Sequence, residues 1–345
     1  MGQAVNKKIP LVLIALLLVA AIMHLAFGRV RPGFGELVDW VFSAGAAGEG
    51  NDAVAFMNDF TFRAIRFPRM LVAVFGGAAL ALAGTVMQAS FRNPLASPDI
   101  IGTAAGAAFG GAIAIVLRWS GESVFVTPIA ALLGAVGVTW LVFVLAGSHG
   151  RFSVANLLLA GIALNTLFGA ITAFVVTLSF DNYTASSRVL FWLMGGLDNR
   201  TWEHAWITAG GFVLFTLMVW PRSRELDLLT LRDDSAHSLG IDAPRARRSL
   251  VWCACGLTAT TVANCGGIAF VGLIVPHLAR LLVGPAHRVL LPTAALLGAT
   301  LMVVSDLGCR VAPASWNLRL GVVTAIAGAP YFLFLLSRQR RGVSL

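Results

Sequence analysis

Apolar residues run along this chain in long blocks, broken at regular intervals by short polar stretches. The blocks are Ile9–Phe27, Met70–Ser90, Ile100–Leu117, Val124–Ala146, Val154–Leu178, Trp202–Trp220, Ser249–Cys265, Ile268–Val283, Leu290–Leu307 and Leu320–Leu336. A helix needs roughly 20 residues to cross the hydrocarbon layer, so this pattern predicts about ten transmembrane helices. Lys7 and Lys8 precede the first block, an arrangement shared with cleaved secretory signals, for which Ala26-Phe27-Gly28 would be the cleavage site. The block is longer than the ~7–15 residues of a signal's apolar region, which favours an uncleaved first span. Residues 29–65 are mixed in character and predict an outer loop with short helical pieces. Residues 179–200, SFDNYTASSRVLFWLMGGLDNR, start too polar to span and predict a segment that lies along the surface or re-enters it.

One long polar segment interrupts the second half, Pro221–Arg248. Six arginines (Arg222, Arg224, Arg232, Arg245, Arg247, Arg248) frame a short amphipathic core. Asp233 or Asp234 suits the N-terminus of a helix there, and Gly240 suits the left-handed stop after its last turn. Leu231, Ala236 and Leu239 are then expected to share roughly one face. A helix so short does not hold itself together alone in water. It predicts a segment gripped by another protein, as an amphipathic helix docks into a groove. The alternative is a solvated loop whose arginines only set topology.

Composition agrees with the pattern. Of 345 residues, 58% are hydrophobic and 12% charged, against about 25% charged in soluble domains, and the mean hydropathy is +0.83. The net charge of +9 does not form a nucleic-acid stripe, because the basic residues sit at the ends of apolar blocks. With both termini in the cytoplasm, fifteen of the 25 Lys and Arg fall on the inner side, including Arg338, Arg340, Arg341 and the six arginines of 221–248. The only lysines are Lys7 and Lys8, so the chain has no G-x-x-x-x-G-K-[ST] phosphate loop. Any ATP hydrolysis then belongs to another chain. Cys253 and Cys255 lie two apart inside one apolar block and do not bridge, while Cys265 and Cys309 fall near one membrane face. No Cys/His spacing predicts a metal site.

Within the spans, the 36 glycines cluster (Gly76-Gly77, Gly84, Gly102, Gly106, Gly110-Gly111). Close helix packing explains them, and broken helices around a pathway are the sharper alternative. The polar residues in the spans are His24, Gln88, Asn165, Thr166 and Asn264, with His24 expected to be a bonded packing residue and not a haem ligand. Asn93-Pro94-Leu95 predicts a turn at the end of the second span, where Pro94 stops the helix and Asn93 bonds the freed backbone. Asn93–Ala96 and Val275–Ala279 (VPHLA) echo one another, a hint of a duplicated half in which each would close a span. Arg63, Arg66 and Arg69 precede the second span on the outer side and Arg310 follows the ninth, each either an interfacial anchor or a fork for a partner's carboxylate.

Several blocks together resemble a known family. Arg66-Phe67-Pro68-Arg69 with GGAALALAGTVMQASFRNPLASPDIIGTAAGA (Gly76–Ala107), LDLLTLRDDSAHSLGID in the long loop, GGIAFVGLIVPHLARLLVGPAHRVLLP (Gly266–Pro292), Asp306 with Arg310, and GVVTAIAGAPYFLFLL (Gly321–Leu336) are similar to the permeases of iron-siderophore, haem and cobalamin ABC importers. The resemblance covers about residues 60–337 and implies an all-α polytopic membrane protein with the type II ABC importer permease fold, a single transmembrane permease domain over 1–345. It implies two permease copies (a homodimer or pseudo-dimer), two cytoplasmic ABC ATPase subunits and a periplasmic or lipid-anchored substrate-binding protein, in the bacterial cell (inner) membrane. It also assigns ATPase coupling to Leu231, Asp233, Asp234, Ala236, Leu239 and Gly240. The pathway and gate fall to Asn93, Leu95, Ser153 and Asn165, and binding-protein docking to Arg63, Arg66, Arg69 and Arg310. His277 in PHLAR fits a structural position.

The chain departs from the family's pattern at Asn317-Leu318-Arg319, where an acidic residue and a proline are usual, and at Ser97, where an acidic residue is common. The first change adds positive charge at the outer mouth and unsettles the local pairing expected there. No cofactor is expected on this chain; ATP and Mg²⁺ belong to the partner ATPase. Iron chelates (siderophore or haem) are the implied cargo, with cobalamin the alternative. An ion-coupled secondary transporter is disfavoured because the acidic residues fall in loops or at span ends, Asp306 included. A membrane enzyme is disfavoured because the chain carries neither H-E-x-x-H nor G-x-S-x-G.

Overall fold

A computed structural model describes residues 8–28, 60–119, 123–147, 154–179, 183–231 and 233–340. Most of the expected outer loop, Ser153 and Arg232 lie outside the described residues. What is described is helical, with no strand. The helices are α1 (Lys8–Ala26), α2 (Phe67–Phe91), α3 (Thr103–Val116), α4 (Val126–Gly147), α5 (Val154–Leu178), α6 (Tyr183–Leu193), α7 (Trp202–Val219), α8 (Ser223–Leu229), α9 (Asp233–Ser238), α10 (Ala243–Cys265), α11 (Val271–Val283), α12 (His287–Val311) and α13 (Leu320–Arg340). α1, α2, α4, α5, α7 and α12 are long and apolar enough to cross a membrane, and α3, α11 and α13 are shorter apolar helices. α10 completes the ten blocks. It begins at Ala243, before the apolar block, so its first turns carry Arg245, Arg247 and Arg248.

α2 is the axis of the bundle. From Gly76 to Phe91 every residue is buried, and α12, α10, α7 and α11 pack around it. Lipid tails are as apolar as leucine, so helices associate here by close contact and not by escape from water. The contact is made by glycine. A Cβ added at Gly77 would overlap the carbonyl oxygen of Gly298 on α12, and one at Gly298 would overlap that of Gly77. A Cβ at Gly84 would overlap Gly272 on α11. Close packing is therefore the role of these glycines.

α2 ends in a Schellman stop. Arg92 takes φ 51° and its N–H bonds the Ala89 carbonyl, while the Asn93 N–H bonds that of Gln88. The chain then turns back along the bundle. Pro98 packs by Gly272, level with Gly84, and the Ile100 carbonyl and Ile101 Cα pack on Gly161 of α5. Gly84 lies about 10 Å before the end of α2 and Gly161 about 10 Å after the start of α5, at 1.5 Å per residue. Residues 92–102 thus re-enter the bundle as a short hairpin with a 3₁₀ turn, Pro98–Ile101, and α3 needs only 14 residues to complete its span. The third span was expected from Ile100. The helix starts instead at Thr103, because the preceding residues cover that depth without being helical.

The expected echo between Asn93–Ala96 and Val275–Ala279 fails in the fold. The first is a turn beyond α2, whereas the second lies inside α11, with Pro276 within the helix. All four cysteines are free. The packing makes a stability prediction. Gly77→Leu should lower the unfolding midpoint of the detergent-solubilised protein by the equivalent of about 1–3 kcal/mol or more, the usual cost of overpacking. Gly137→Ala, where an added Cβ meets nothing within 4 Å, should leave the midpoint unchanged.

Candidate functional site

Two polar clusters stand out, one at each end of α2. At the Arg69 end, Asp306 of α12 is fully buried, and a buried carboxylate is tolerated only when paired and bonded. Arg69 supplies a fork, Nε to Oδ2 at 2.8 Å and Nη2 to Oδ1 at 2.8 Å. His24 of α1, also fully buried, lies with Nε2 2.7 Å from Oδ2. Arg310 Nη1 sits 3.3 Å from His24 Nδ1, and arginine only donates, so Nδ1 accepts and Nε2 carries the proton given to Asp306. The imidazole is neutral and fully used. His24 is the bonded packing residue expected of it. Among the described residues no group of three or more His, Cys, Asp or Glu could hold a metal.

Three of the four arginines named for docking bond within the chain. Arg66 is buried and donates to the Leu25 and Ala26 carbonyls at the open C-terminus of α1, and Arg310 Nη1 donates to the His24 carbonyl at 2.8 Å. Arg69 also reaches Asp198 Oδ1 at 2.9 Å. The Arg63 carbonyl accepts from Trp202 Nε1 at 2.9 Å. Of the four arginines expected to dock a binding protein, Arg66, Arg69 and Arg310 therefore tie α1, α2 and α12 together. Arg319, the residue that departs from the family's pattern, bonds Asp198 Oδ2 at 2.6 Å and lies 4.2 Å over the Phe191 ring. Asp198 thus pairs with both Arg69 and Arg319. Nothing near either residue in the sequence pointed to this pair.

At the other end of α2, the long polar segment folds back onto the bundle. α8 buries Leu226 and Leu229, and its Asp227 accepts from the His287 N–H at 2.9 Å and lies 2.6 Å from His287 Nδ1, at the start of α12. Arg92 Nη1 donates to the Leu231 carbonyl at 2.9 Å, and buried Arg247 Nε donates to the Ser90 carbonyl at 2.8 Å. α9 starts at Asp233 and stops as the sequence predicts: Gly240 takes φ 82°, its N–H bonds the His237 carbonyl, and the Ile241 N–H bonds that of Ala236. Asp242 caps α10, its Oδ1 accepting from the Arg245 N–H at 3.1 Å. The expected shared face is not formed. Ala236 is fully buried in the core, whereas Leu231 and Leu239 are 43% and 53% exposed. The six-residue helix is pinned to the bundle by Ala236, and the leucines that flank it, Leu231 and Leu239, stay exposed.

The turn after α2 lies beside this segment. Asn93 Oδ1 accepts from the Leu95 N–H at 2.9 Å, so Asn93 satisfies the turn's backbone, and both Asn93 and Leu95 are exposed. Asn165 of α5 donates Nδ2 to the Asp99 carbonyl at 2.7 Å and so holds the re-entrant hairpin in place. Gln88 bonds the Leu273 carbonyl at 3.0 Å, Asn264 that of Thr260 at 2.8 Å, and Thr166 that of Ile162 at 2.9 Å. Each of these residues thus has at least one side-chain bond, whereas Asn264 Oδ1, Thr216 Oγ1 and His277 Nε2 are buried without one.

Removing the carboxylate at the Arg69 cluster would strand a guanidinium. Asp306→Asn should destabilise the protein by about 3–5 kcal/mol, the cost of breaking a buried pair. Asp198→Asn removes a half-exposed partner and should cost under about 1 kcal/mol. Thermal unfolding of both variants in one detergent checks the order.

Comparison with known proteins covers nearly the whole chain. Residues 16–338 match the model of the FecCD transport family. The chain is 40% identical over 272 residues to the cobalamin import system permease protein BtuC of Halobacterium salinarum, covering 79% of this chain and 72% of that one. It is 40% identical over 275 residues to the Fe(3+) dicitrate transport system permease protein FecD of Escherichia coli, covering 80% and 84%. It is 35% identical over 330 residues to the hemin transport system permease protein HmuU of Yersinia pestis, covering 91% and 98%. A solved structure described as an inward-facing conformation of a metal-chelate type ABC transporter superposes with a TM-score of 0.83 at 33% identity, over 96% of this chain and 100% of that one. This chain belongs to the FecCD transport family.

Proposed function

We propose that this chain is the transmembrane permease subunit of an ATP-driven importer of iron chelates, siderophore or haem, with two copies forming the pathway. A single observation carries the reading: the Arg92–Leu231 bond joins the turn after α2 to the polar segment 221–248. The turn at Asn93 and Leu95 is the gate, and the polar segment is the handle on which an ATPase pulls. Leu231 and Leu239, exposed beside α9, are the apolar contacts that an ATPase cleft would cover. The chain has no phosphate loop of its own, so ATP and Mg²⁺ sit on that separate subunit and this chain binds no cofactor. The arginines of the polar segment hold it in the cytoplasm, with both termini on the same side of a bacterial inner membrane.

On the outer side, a substrate-binding protein meets the rim around a 640 Å³ cavity lined by Arg66, Arg69, Arg310, Arg319 and Asp198. Because Arg66, Arg69 and Arg310 bind their own chain, their part in docking is to shape that rim and set its charge. Iron chelate as cargo is supported by the likeness to FecD and HmuU, and cobalamin is the second reading, favoured by the equal identity to BtuC.

The two ends of the handle separate in experiment. Leu239→Asp should weaken co-purification of the ATPase several-fold while the permease itself unfolds at its normal midpoint. Arg92→Ala should keep the ATPase bound and lower transport per ATP hydrolysed in proteoliposomes. Full ATPase recovery with Leu239→Asp, or unchanged coupling with Arg92→Ala, would sink the assignment. Cargo is decided by uptake of ferric siderophore, haem and cobalamin in cells in which this permease is the sole route.

A further inference from the structure

A cleft of 470 Å³ between α4, α7 and α10 plays no part in the mechanism above. α4 and α7 both pack on α10 and leave a gap between them, lined by Val136, Phe215, Met218 and Trp252 and rimmed by Arg245 and Arg248. Trp252 is backed by Phe143, stacked at 4.8 Å, and Gly256 lets Phe215 lie against the backbone of α10, where a Cβ would overlap the ring. The walls are thus firm. The flanks carry exposed apolar residues, Leu133 and Trp140 on α4 and Leu214 and Leu217 on α7, so the gap opens onto the membrane-facing surface.

The rim is charged and available. Arg248 has no hydrogen-bond or ion-pair partner among the described residues. Arg245 pairs only with half-exposed Asp242, at 3.1 Å, an exposed pair of little strength. From Arg245 to Ala259 the lining follows α10 for about 21 Å. That length spans the interface and about one leaflet of a ~30 Å hydrocarbon layer.

We propose that this cleft is a binding site for one anionic phospholipid, its phosphate held by Arg245 and Arg248 and one acyl chain laid along Trp252. Charge selects the headgroup, since paired arginines at the mouth of an apolar groove favour an anion over a zwitterion. The proposed function enters only in naming the leaflet, the cytoplasmic one, where α10 begins. The bound lipid would brace α10 one turn from Ser249, whose hydroxyl already accepts from Arg222 at the base of α8.

The test uses the full-length protein in detergent, titrated with phosphatidylglycerol or phosphatidylcholine while thermal unfolding is followed. This assay is blind to sidedness and transport, so its failure leaves the proposed function standing. Phosphatidylglycerol should raise the midpoint more than phosphatidylcholine. The Arg245→Gln/Arg248→Gln double variant should lose that preference by about an order of magnitude, as two basic groups at a membrane surface imply. Phosphatidylglycerol with brominated acyl chains should quench the wild type more than Trp252→Phe, placing the chain in the cleft. Equal effects of the two lipids on the wild type, a preference intact in the double variant, or identical quenching with and without Trp252 would each overturn the proposal.

Discussion

Backbone contact along α2 is the constraint on which the other helices depend. In lipid, two helices gain nothing by hiding leucine from each other, so the bundle has to be held where backbones touch. Gly77 on Gly298 and Gly84 on Gly272 supply that contact on two sides of one helix. Their price is that α2 is left with almost no side-chain surface of its own, and it becomes a rod fixed by its neighbours. Both ends of the rod are then tied by arginines: Arg69 to Asp306 at one, Arg92 to Leu231 and Arg247 to Ser90 at the other. A rigid element with polar ties at either end transmits displacement instead of absorbing it. α5 and α13 expose far more apolar surface.

The Arg69 network is economical in its carboxylates. Asp306 receives three donors from two helices, which offsets the cost of burying it. Asp198 serves two arginines at once, Arg69 and Arg319. Arg319 thus finds its carboxylate 121 residues away, on the loop after α6.

Much of this was legible from hydrophobic pattern alone. The ten spans fall within a few residues of their predicted limits, because length and apolarity decide what crosses a membrane. The Gly240 stop and the Asn93 turn were equally legible, since both depend on local backbone chemistry. What escaped was whatever depends on depth or direction. Nothing in RNPLASPDIIG distinguishes a surface turn from a hairpin that climbs about 10 Å back into the bundle; that is fixed by Gly161 and Gly272 on other helices. The direction of Ala236 against Leu239 follows from which residue fits against the core, and helical periodicity over six residues is too short to fix it. The partners of the arginines escaped for a related reason: a guanidinium beside a span end looks free until the carbonyls of α1 are placed next to it.

Depth also bears on how the protein is driven. The re-entrant hairpin carries Asp99 to a level at which an ion-coupled transporter would place its carboxylate, beside a 460 Å³ apolar cavity bordered by Ala104, Gly267 and Ala325. The sequence put every acid in a loop or at a span end, so this position needs a separate answer. A coupling carboxylate has to change partners as access alternates. Asp306 cannot do so without freeing Arg69 and His24 inside the bundle. Asp99 lies on a turn whose carbonyl is held by Asn165 and whose next residues are wedged against Gly161, so its backbone is fixed to α5. Its carboxylate borders the cavity, and among the described residues no cation is paired with it. Neither acid offers a two-state ion site, whereas the 221–248 segment presents exposed Leu231 and Leu239 on a scaffold bonded to α2 and α12. That segment meets the end of α2 through two side-chain hydrogen bonds, Arg92 to the Leu231 carbonyl and Arg247 to that of Ser90.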